Sequence, residues 1–248
     1  MTELGDLTFP DLAEALGDER PTVLLLPLGA VEPHGPHAPL ATDMLISEEV
    51  CERAARALDG DREVRVFVLP ALSYGITRYG AAFPGAVSIG EETLRALVIE
   101  ICESLAGQGL GRIVLVNSHL EPEQVRTLRR AVEVLGGAVR LFDPTRRGVA
   151  AELTEEFRSG AGHAGRYETS LVLAADPRLI RRERMASLES KMIDMPAEIA
   201  AGRTDFMAMG MDQAYCGAPA EASAEEGEQT FAKLTELVVA LVREVAEC

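Results

Sequence analysis

The chain has no tryptophan, only 4% aromatic residues, and only four cysteines among its 248 residues. The cysteines are Cys51, Cys102, Cys216 and Cys248, which are far apart and form no Cys-x-x-Cys pair. This spacing excludes a zinc knuckle and a disulfide framework, and it fits reduced thiols. We therefore expect a cytoplasmic protein.

The sequence also has far fewer basic than acidic residues, 24 against 40, and it lacks long apolar runs. Its formal net charge of −16 excludes electrostatic binding to nucleic acid or to an anionic membrane. The first residues, "MTELGDLTFPDLAEAL", show no basic region followed by an apolar stretch. No apolar run approaches the roughly 18 residues that a membrane helix needs. We expect no nucleic acid and no membrane among the partners.

Apolar segments alternate with amphipathic ones along the chain. Runs rich in Val, Leu and Ile predict strands buried on both faces at 22–28, 63–70, 112–116 and 138–142. Apolar residues at three- and four-residue spacing predict helices at 43–58, 91–107, 122–136 and 228–246. This order predicts an α/β fold with a mostly parallel sheet sandwiched by helices. We expect a single domain over residues 1–248.

The residues with the most distinctive chemistry follow the predicted strands. "GAVEPHGPH" follows the first strand, "SYGITRYGAAFPG" the second and "NSHLEPEQ" the third. The chain has four histidines, and each lies within six residues of a glutamate or aspartate: His34, His37, His119 and His163. Ligands of parallel sheets bind beyond the carboxyl ends of the strands, so we expect these side chains at one edge.

Two Glu/His pairs and one aspartate form a candidate metal centre. Residues two apart in an extended segment point the same way, so Glu32 can converge with His34, and His119 with Glu121. Asp43 begins a predicted helix, and its carboxylate can bridge two ions. This set of nitrogen and oxygen ligands suits Zn²⁺ or Mn²⁺. The pattern predicts two divalent ions per chain in a dinuclear hydrolytic centre.

Each of these residues also has an ordinary structural interpretation. A single histidine at a strand end is commonly a hydrogen-bonded polar residue, and Asp43 alone could favour a helix N-terminus. Glu121 alone could be a solvated residue in the first turn of its helix. Their joint position at one predicted sheet edge favours the metal centre.

The remaining two histidines are candidates for supporting roles. His37 lies in a tight Gly-Pro turn, and we interpret it as orienting the metal ligands through a hydrogen bond. His163 lies between Gly162 and Gly165, where an imidazole can act as a proton shuttle near neutral pH. Glu168 could orient His163 or hold its loop, or it could be a structural acid bonded to backbone amides.

Several motifs resemble those of the creatininase (creatinine amidohydrolase) family. "PLGAVEPHGPHAPLATD" resembles the first signature of the family, and "SYG" followed by "FPGAVSI" resembles the second. "VNSHLEPE" and "GHAGRYETSLVLAADPRLI" resemble the third and fourth, and "CGAPAEASAEEGE" resembles the carboxyl-terminal segment. The resemblance spans residues 22–230 in the order of the family.

The resemblance implies a ligand assignment and a set of substrate contacts. One ion would be held by Glu32, His119 and Asp43, the other by His34, Glu121 and the bridging Asp43. The resemblance further implies catalytic roles for His163 and Glu121, and a substrate pocket lined by Ser73, Tyr74 and Leu120. It implies a compact α/β fold and a homo-oligomer, with a hexamer favoured.

The sequence departs from the family in ways that bear on the substrate. Many members carry Asn-Gly-His-Gly-Gly-Asn where this chain has Asn-Ser-His-Leu-Glu-Pro at 117–122. Creatininase uses tryptophans over its substrate, and this chain has none. Tyr79 also stands near the place of a histidine in many relatives. Since a flat cyclic guanidine would lose its stacking partners, we do not expect creatinine as the substrate.

We therefore expect hydrolysis of a non-peptide C–N amide bond in a small molecule, a cyclic amide or a formamide. A hydroxide bridging two metal ions would attack the carbonyl, and His163 would pass a proton to the leaving nitrogen. Deformylation and trimming of a peptide during cofactor maturation are alternatives within this class. A non-catalytic, metal-stabilised binding or sensor protein is the alternative from another class.

Overall fold

Four parallel strands form the centre of the structure, a computed structural model that describes residues 3–248. The strands are β1 (Thr22–Leu28), β2 (Arg65–Val68), β3 (Ile113–Asn117) and β4 (Val139–Phe142). They lie in the order β2-β1-β3-β4, so β1 and β3 occupy the middle of the sheet.

Helices connect the strands and cover both faces of the sheet. The α-helices are α1 (Phe9–Ala15), α2 (Thr42–Ala57), α3 (Glu91–Ala106), α4 (Pro122–Leu135), α5 (Arg147–Ala150), α6 (Glu155–Ser159), α7 (Arg166–Ala175), α8 (Arg182–Ala186), α9 (Met195–Ala200) and α10 (Ala224–Ala246). Three short 3-10 helices span Leu4–Asp6, Pro177–Leu179 and Pro219–Glu221. The predicted α/β fold, a parallel sheet between helices, is confirmed.

The alternation of side chains along β1 divides the core into two layers. Val23 and Leu25 pack with α2, α7 and α10 on one face. Leu24 and Leu26 pack with α3 and α4 on the other. Because successive residues of a strand point to opposite faces, a central strand covered on both sides must be apolar throughout. All seven residues of β1 are buried.

Two elements, β2 and α10, differ from their predicted bounds by more than one residue. β2 is shorter than the predicted 63–70, because only Arg65–Val68 pair with β1. α10 begins at Ala224, before the predicted 228, because the Ser223 side chain accepts a hydrogen bond from the Glu226 amide and caps the helix. Gly227 lies inside this helix, where a Cβ would collide with the Ser170 carbonyl oxygen of α7.

Among residues 3–248, no helix is both long and apolar enough to cross a bilayer. The expectation of a single domain over 1–248 stays a prediction.

Candidate metal centre

The two central strands bring the first two predicted ligand pairs together. Leu28, at the end of β1, pairs with Asn117, at the end of β3. The segments that follow these strands therefore leave the same edge of the sheet side by side. This edge is where parallel sheets place their ligands.

Gly29 allows helix α2 to approach the end of β1. A Cβ on Gly29 would lie 2.5 Å from the Met44 amide nitrogen and 2.9 Å from the Asp43 carbonyl carbon. Since glycine has no Cβ, the first turn of α2 reaches the strand end. Ser47 reinforces this contact by donating a hydrogen bond of 2.6 Å to the Leu28 carbonyl. Asp43 is thereby brought, buried, to the edge of the sheet.

The first ligand group consists of Glu32, Asp43 and His119. His119 Nδ1 lies 3.1 Å from Glu32 Oε1 and 3.1 Å from Asp43 Oδ2. The other ring nitrogen of His119 donates to the Ile76 carbonyl at 2.6 Å. Thr77 donates to Glu32 Oε2 at 2.7 Å and so fixes the carboxylate. These three residues are the ones that the resemblance assigned to one ion.

The second ligand group consists of His34, Asp43 and Glu168. His34 Nε2 lies 3.2 Å from Asp43 Oδ1 and 3.4 Å from Glu168 Oε2. His34 Nδ1 donates to the Glu32 carbonyl at 3.1 Å. The two oxygens of Asp43 therefore face different groups, Oδ2 the first and Oδ1 the second. Asp43 could therefore contribute one oxygen to each of two ions.

Two observations indicate that the candidate metal centre can bind divalent cations. His34 Nε2 and Asp43 Oδ2 are buried and have no hydrogen-bond partner among residues 3–248. Both His34 and His119 donate their other ring N–H to a backbone carbonyl, as metal-ligating histidines do. Burying a carboxylate oxygen without a hydrogen-bond partner destabilises the folded protein unless the carboxylate is paired with a cation or binds a metal. The donor set is the nitrogen and oxygen set that suits Zn²⁺ or Mn²⁺.

The carboxylates of the candidate metal centre favour the binding of positive charge between them. Burial alone would lower the pKa of His34, but the carboxylates of Asp43, Glu168 and Glu32 raise it to about 10. Burial would raise the pKa of Asp43, but the charges of His34 and His119 hold it well below its usual range. Burial raises the pKa of Glu168 to about 8. The cluster therefore attracts a cation, either protons on its imidazoles or metal ions.

His163 lies beside both ligand groups, and with Glu32 and His34 it forms a third candidate group. Its Nε2 donates to the Pro33 carbonyl at 3.0 Å, and its Nδ1 lies 3.7 Å from Glu32 Oε1. Its ring packs between those of His34 and Phe206, with centroids 4.7 and 4.4 Å away. Burial and the charge of His34 lower the pKa of His163 to about 4. The neutral imidazole thus has a free electron pair on Nδ1.

The backbone after His163 adopts an unusual conformation. Ala164 has φ of 49°, in the left-handed region that non-glycine residues rarely occupy. The Ala164 amide donates to Glu168 Oε2 at 2.7 Å, so the carboxylate that faces His34 also fixes this turn. The contact with the Ala164 amide supports the interpretation of Glu168 as an acid that holds the loop. Its position 3.4 Å from His34 Nε2 is a contact that the sequence analysis did not predict.

The structure places the Glu121 carboxylate in contacts other than the expected ones. Glu121 belongs to no ligand group with His34 and Asp43 among residues 3–248. Its carboxylate instead accepts hydrogen bonds from the amides of Arg78, at 2.8 and 3.0 Å, and of Tyr79, at 3.1 Å. Glu121 precedes α4, so its direction is set by the turn into that helix. Burial raises its pKa to about 7, and its side chain still lines the same cavity.

His37 contacts the helix that carries Glu168. Its Nε2 is hydrogen bonded to Thr169 Oγ1 at 2.8 Å, and both residues are fully buried. A residue that fixes the neighbour of Glu168 can orient the ligands indirectly. The orienting role of His37 stays a prediction that this contact supports.

A cavity of about 280 Å³ opens above the candidate metal centre, just below the usual range for small-molecule sites of about 300–1,000 Å³. We call Glu32, Asp43, His119 and Glu168 its floor; His34 is fully buried next to them. We call Phe157, Arg158, Met195, Ile199 and Phe206 its wall. The cavity offers a substrate direct access to the candidate ligands.

Of the three expected substrate contacts, only Leu120 lines this cavity. Tyr74 is 54% exposed, and Ser73 donates to the Met44 sulfur at 2.7 Å. The segment after β2 reaches the centre only later, with the Ile76 carbonyl and the Thr77 hydroxyl. Ser73 and Tyr74 therefore do not line this cavity, and their contact with a substrate stays a prediction.

Sequence reasoning missed the wall. Its residues come from α6, α9 and the segment before Gly210, which contain no histidine or cysteine. Phe206 packs edge-on against Tyr79 with centroids 6.2 Å apart. Their only sequence signal was apolar composition, which does not distinguish a cavity wall from a core.

A comparison with protein families finds that the model named Creatininase, described as creatinine amidohydrolase, matches residues 5–242. The mycofactocin precursor peptide peptidase of Mycobacterium tuberculosis (strain ATCC 25618 / H37Rv) is 30% identical over 233 residues, 91% of this chain and 88% of that protein. The creatinine amidohydrolase of Pseudomonas putida is 34% identical over 206 residues, 73% of this chain and 75% of that protein.

Solved structures of similar fold include metal-containing ones. A structure described as creatininase Mn has 27% identity and a TM-score of 0.71, with 98% of each chain covered. A mutant creatininase described as of Zn-Zn type has 27% identity and a TM-score of 0.70, with 97% of this chain and 96% of that chain covered.

Proposed function

This chain belongs to the creatininase family, and on that premise we propose that it is a dinuclear metal-dependent enzyme that cleaves a C–N amide bond. The family makes it an amidohydrolase. One observation carries the finer proposal: two ligand groups share Asp43 at the floor of a cavity.

We assign one ion to Glu32, Asp43 and His119, and the other to His34, Asp43 and Glu168. This differs from the assignment implied by the resemblance in one residue, because Glu168 takes the place of Glu121. Zn²⁺ or Mn²⁺ bound by these ligands would supply an acidified water nucleophile and a Lewis acid for the amide carbonyl. Metal-containing creatininase structures support the choice of these two metals.

His163 is the group of this chain that moves protons. Its Nε2–H is committed to the Pro33 carbonyl, so Nδ1 is the atom that accepts a proton. That atom faces the carboxylate of Glu32 at 3.7 Å, within the region where substrate meets the floor. His163 takes a proton from the attacking water and returns it to the leaving amide nitrogen.

The composition of the cavity wall restricts which substrates would fit. Its wall is apolar except for Arg158 and contains no tryptophan, which supports the expectation that creatinine is not the substrate. Small cyclic amides and formamides stay predictions from the sequence. Peptide amides are a second candidate, favoured by the apolar wall and by the relatives named as peptide peptidases.

The expected homo-oligomer also stays a prediction. Three apolar side chains on neighbouring loops support it: Leu40 is 41% exposed, Tyr74 54% and Val87 44%. Grouped exposed apolar residues commonly mark protein interfaces. Light scattering coupled to size-exclusion chromatography will show whether the protein is the hexamer that we favour. The cytoplasmic location likewise stays a prediction.

The test of the proposed function is metal content measured together with activity. We expect about two Zn or Mn ions per chain in protein purified without chelator or affinity tag, and hydrolysis of at least one amide in a panel. The panel contains cyclic amides, formamides and short peptides. Bound metal without any hydrolysis would favour the binding or sensor protein. Protein that takes up neither Zn²⁺ nor Mn²⁺ would refute the proposal.

A further inference from the structure

Arg158 is a cation on the cavity wall. The chain has 40 acidic residues against 24 basic ones, and many of its arginines form ion pairs. Among residues 3–248, no carboxylate lies within ion-pair distance of Arg158. Its guanidinium donates one long hydrogen bond of 3.4 Å, to the Ala151 carbonyl. The remaining guanidinium donors are free for a ligand.

The helix that carries Arg158 is held firmly in place. Thr154 caps α6 by accepting a hydrogen bond from the Phe157 amide at 3.3 Å. Glu156, which is buried, accepts hydrogen bonds from the amides of Tyr167 at 2.7 Å and Ala218 at 2.6 Å. The backbone of Arg158 therefore has a fixed position at the rim of the cavity, which favours a specific contact over a random one.

The surroundings of Arg158 restrict what kind of anion it meets. Phe157 packs on Tyr167, with centroids 4.8 Å apart, and both line the cavity. Met195, Ile199 and Phe206 complete an apolar wall. A ligand that fills this space would place an apolar group against the wall and a negative charge at its rim.

We infer that Arg158 binds a carboxylate that adjoins an apolar side chain of the substrate. Arginine matches a carboxylate with two parallel N–H···O bonds. The substrate class is thus an amide of an apolar amino acid whose own carboxylate is free, either an N-acyl amino acid or the carboxyl-terminal residue of a peptide. This inference rests on the proposed function, and it makes Arg158 a specificity-determining residue of that reaction.

Binding is tested first, without catalysis, by titration calorimetry of phenylpropanoate and of neutral phenylpropanol. We expect the carboxylate to bind about 10- to 100-fold more tightly, as charge-assisted hydrogen bonds imply. The preference should be lost in Arg158→Gln and partly retained in Arg158→Lys. Both are measured with and without Zn²⁺, because a bound metal could also attract the carboxylate.

Arg182→Gln is the matched control, since Arg182 is also an exposed arginine on a short helix but does not line the cavity. It should bind both ligands as the unaltered protein does. A carboxylate preference that is absent from the unaltered protein, or that persists in Arg158→Gln, would overturn the inference.

Hydrolysis then identifies the source of the carboxylate. The metal-loaded protein is given N-acetylphenylalanine and its methyl ester, and the peptide Ala-Ala-Phe and its carboxyl-terminal amide. We expect a lower KM for the free acid of at least one pair, and we expect Arg158→Gln to remove that difference. An Arg158-dependent binding preference with no hydrolysis of any amide would refute the proposed function but leave the carboxylate site standing.

Discussion

The floor and the wall of the cavity are built on different principles. Floor residues are at most 7% exposed, and hydrogen bonds from the surrounding chain hold the carboxylates of Glu32 and Glu168. The wall comes from short helices after the last strand, and it makes few polar contacts. Under the proposed function, the hydrogen-bonded floor would hold the metal ions, and the largely apolar wall would contact the substrate.

The largest expected effect is that of removing the shared ligand of the floor. Asp43→Ala should abolish activity and lose both ions, because each oxygen of Asp43 faces a different ligand group. Elemental analysis and amide hydrolysis on the same sample measure both outcomes, with circular dichroism to show that the variant is folded. Retention of two ions would contradict the bridging position.

The next prediction tests whether Glu168 or Glu121 is a metal ligand. Glu168→Gln should bind about one ion per chain, since one ligand group of the two loses a carboxylate. Glu121→Gln is the matched control and should keep two ions, because its side chain bonds backbone amides instead. The opposite result, with the ion lost from Glu121→Gln alone, would restore the assignment implied by the family resemblance.

Removal of His163, the proposed proton-transfer group, should lower activity without disturbing the floor. His163→Ala should reduce kcat by about 10²–10⁴-fold, the range typical of a general acid or base. Its metal content should be unchanged, because Glu32, His34, Asp43, His119 and Glu168 remain. Full activity would eliminate the proton-transfer role, and loss of an ion would make His163 a ligand.

The affinity for metal ions should rise with pH, because ligands of the candidate metal centre must first lose their protons. The pKa of His34 is raised to about 10 and that of Glu168 to about 8, so both carry protons at pH 7. An incoming cation must displace these protons, and its affinity should rise by at least about tenfold per pH unit between pH 6 and 8. Competition with a chromogenic chelator at several pH values measures this slope. A flat profile would mean that the ligands are already deprotonated.

The smallest effect is expected on the wall. Ile199→Ala should raise KM for apolar substrates by about tenfold and leave kcat nearly unchanged, because one truncated contact weakens binding of substrate and transition state alike. Metal content should not change. Steady-state kinetics with a substrate bearing a bulky apolar group, and with a small formamide as control, will show whether the effect follows the apolar contact.

The sequence predicted the fold and most of the floor for the same reason. β1 is apolar at every position, and the helices have apolar residues at regular spacing, so local composition specifies both. Glu32, His34 and Asp43 are close in the chain, and His119 follows the neighbouring strand. Parallel strands must bring their carboxyl ends to one edge, which is why these residues could be placed together without a structure.

Long-range packing decided what the sequence left open. The choice between Glu121 and Glu168 depends on the turn into α4 and on the docking of α7, where Thr169 meets His37 across 132 residues of sequence. The wall depends on how short helices from residues 155–206 fold over the sheet edge. The sequence by itself therefore determined the kind of chemistry, through residue types at strand ends. Only the tertiary structure decided which carboxylate faces His34 and which side chains line the cavity, because contacts between distant segments leave no periodic signal in the chain.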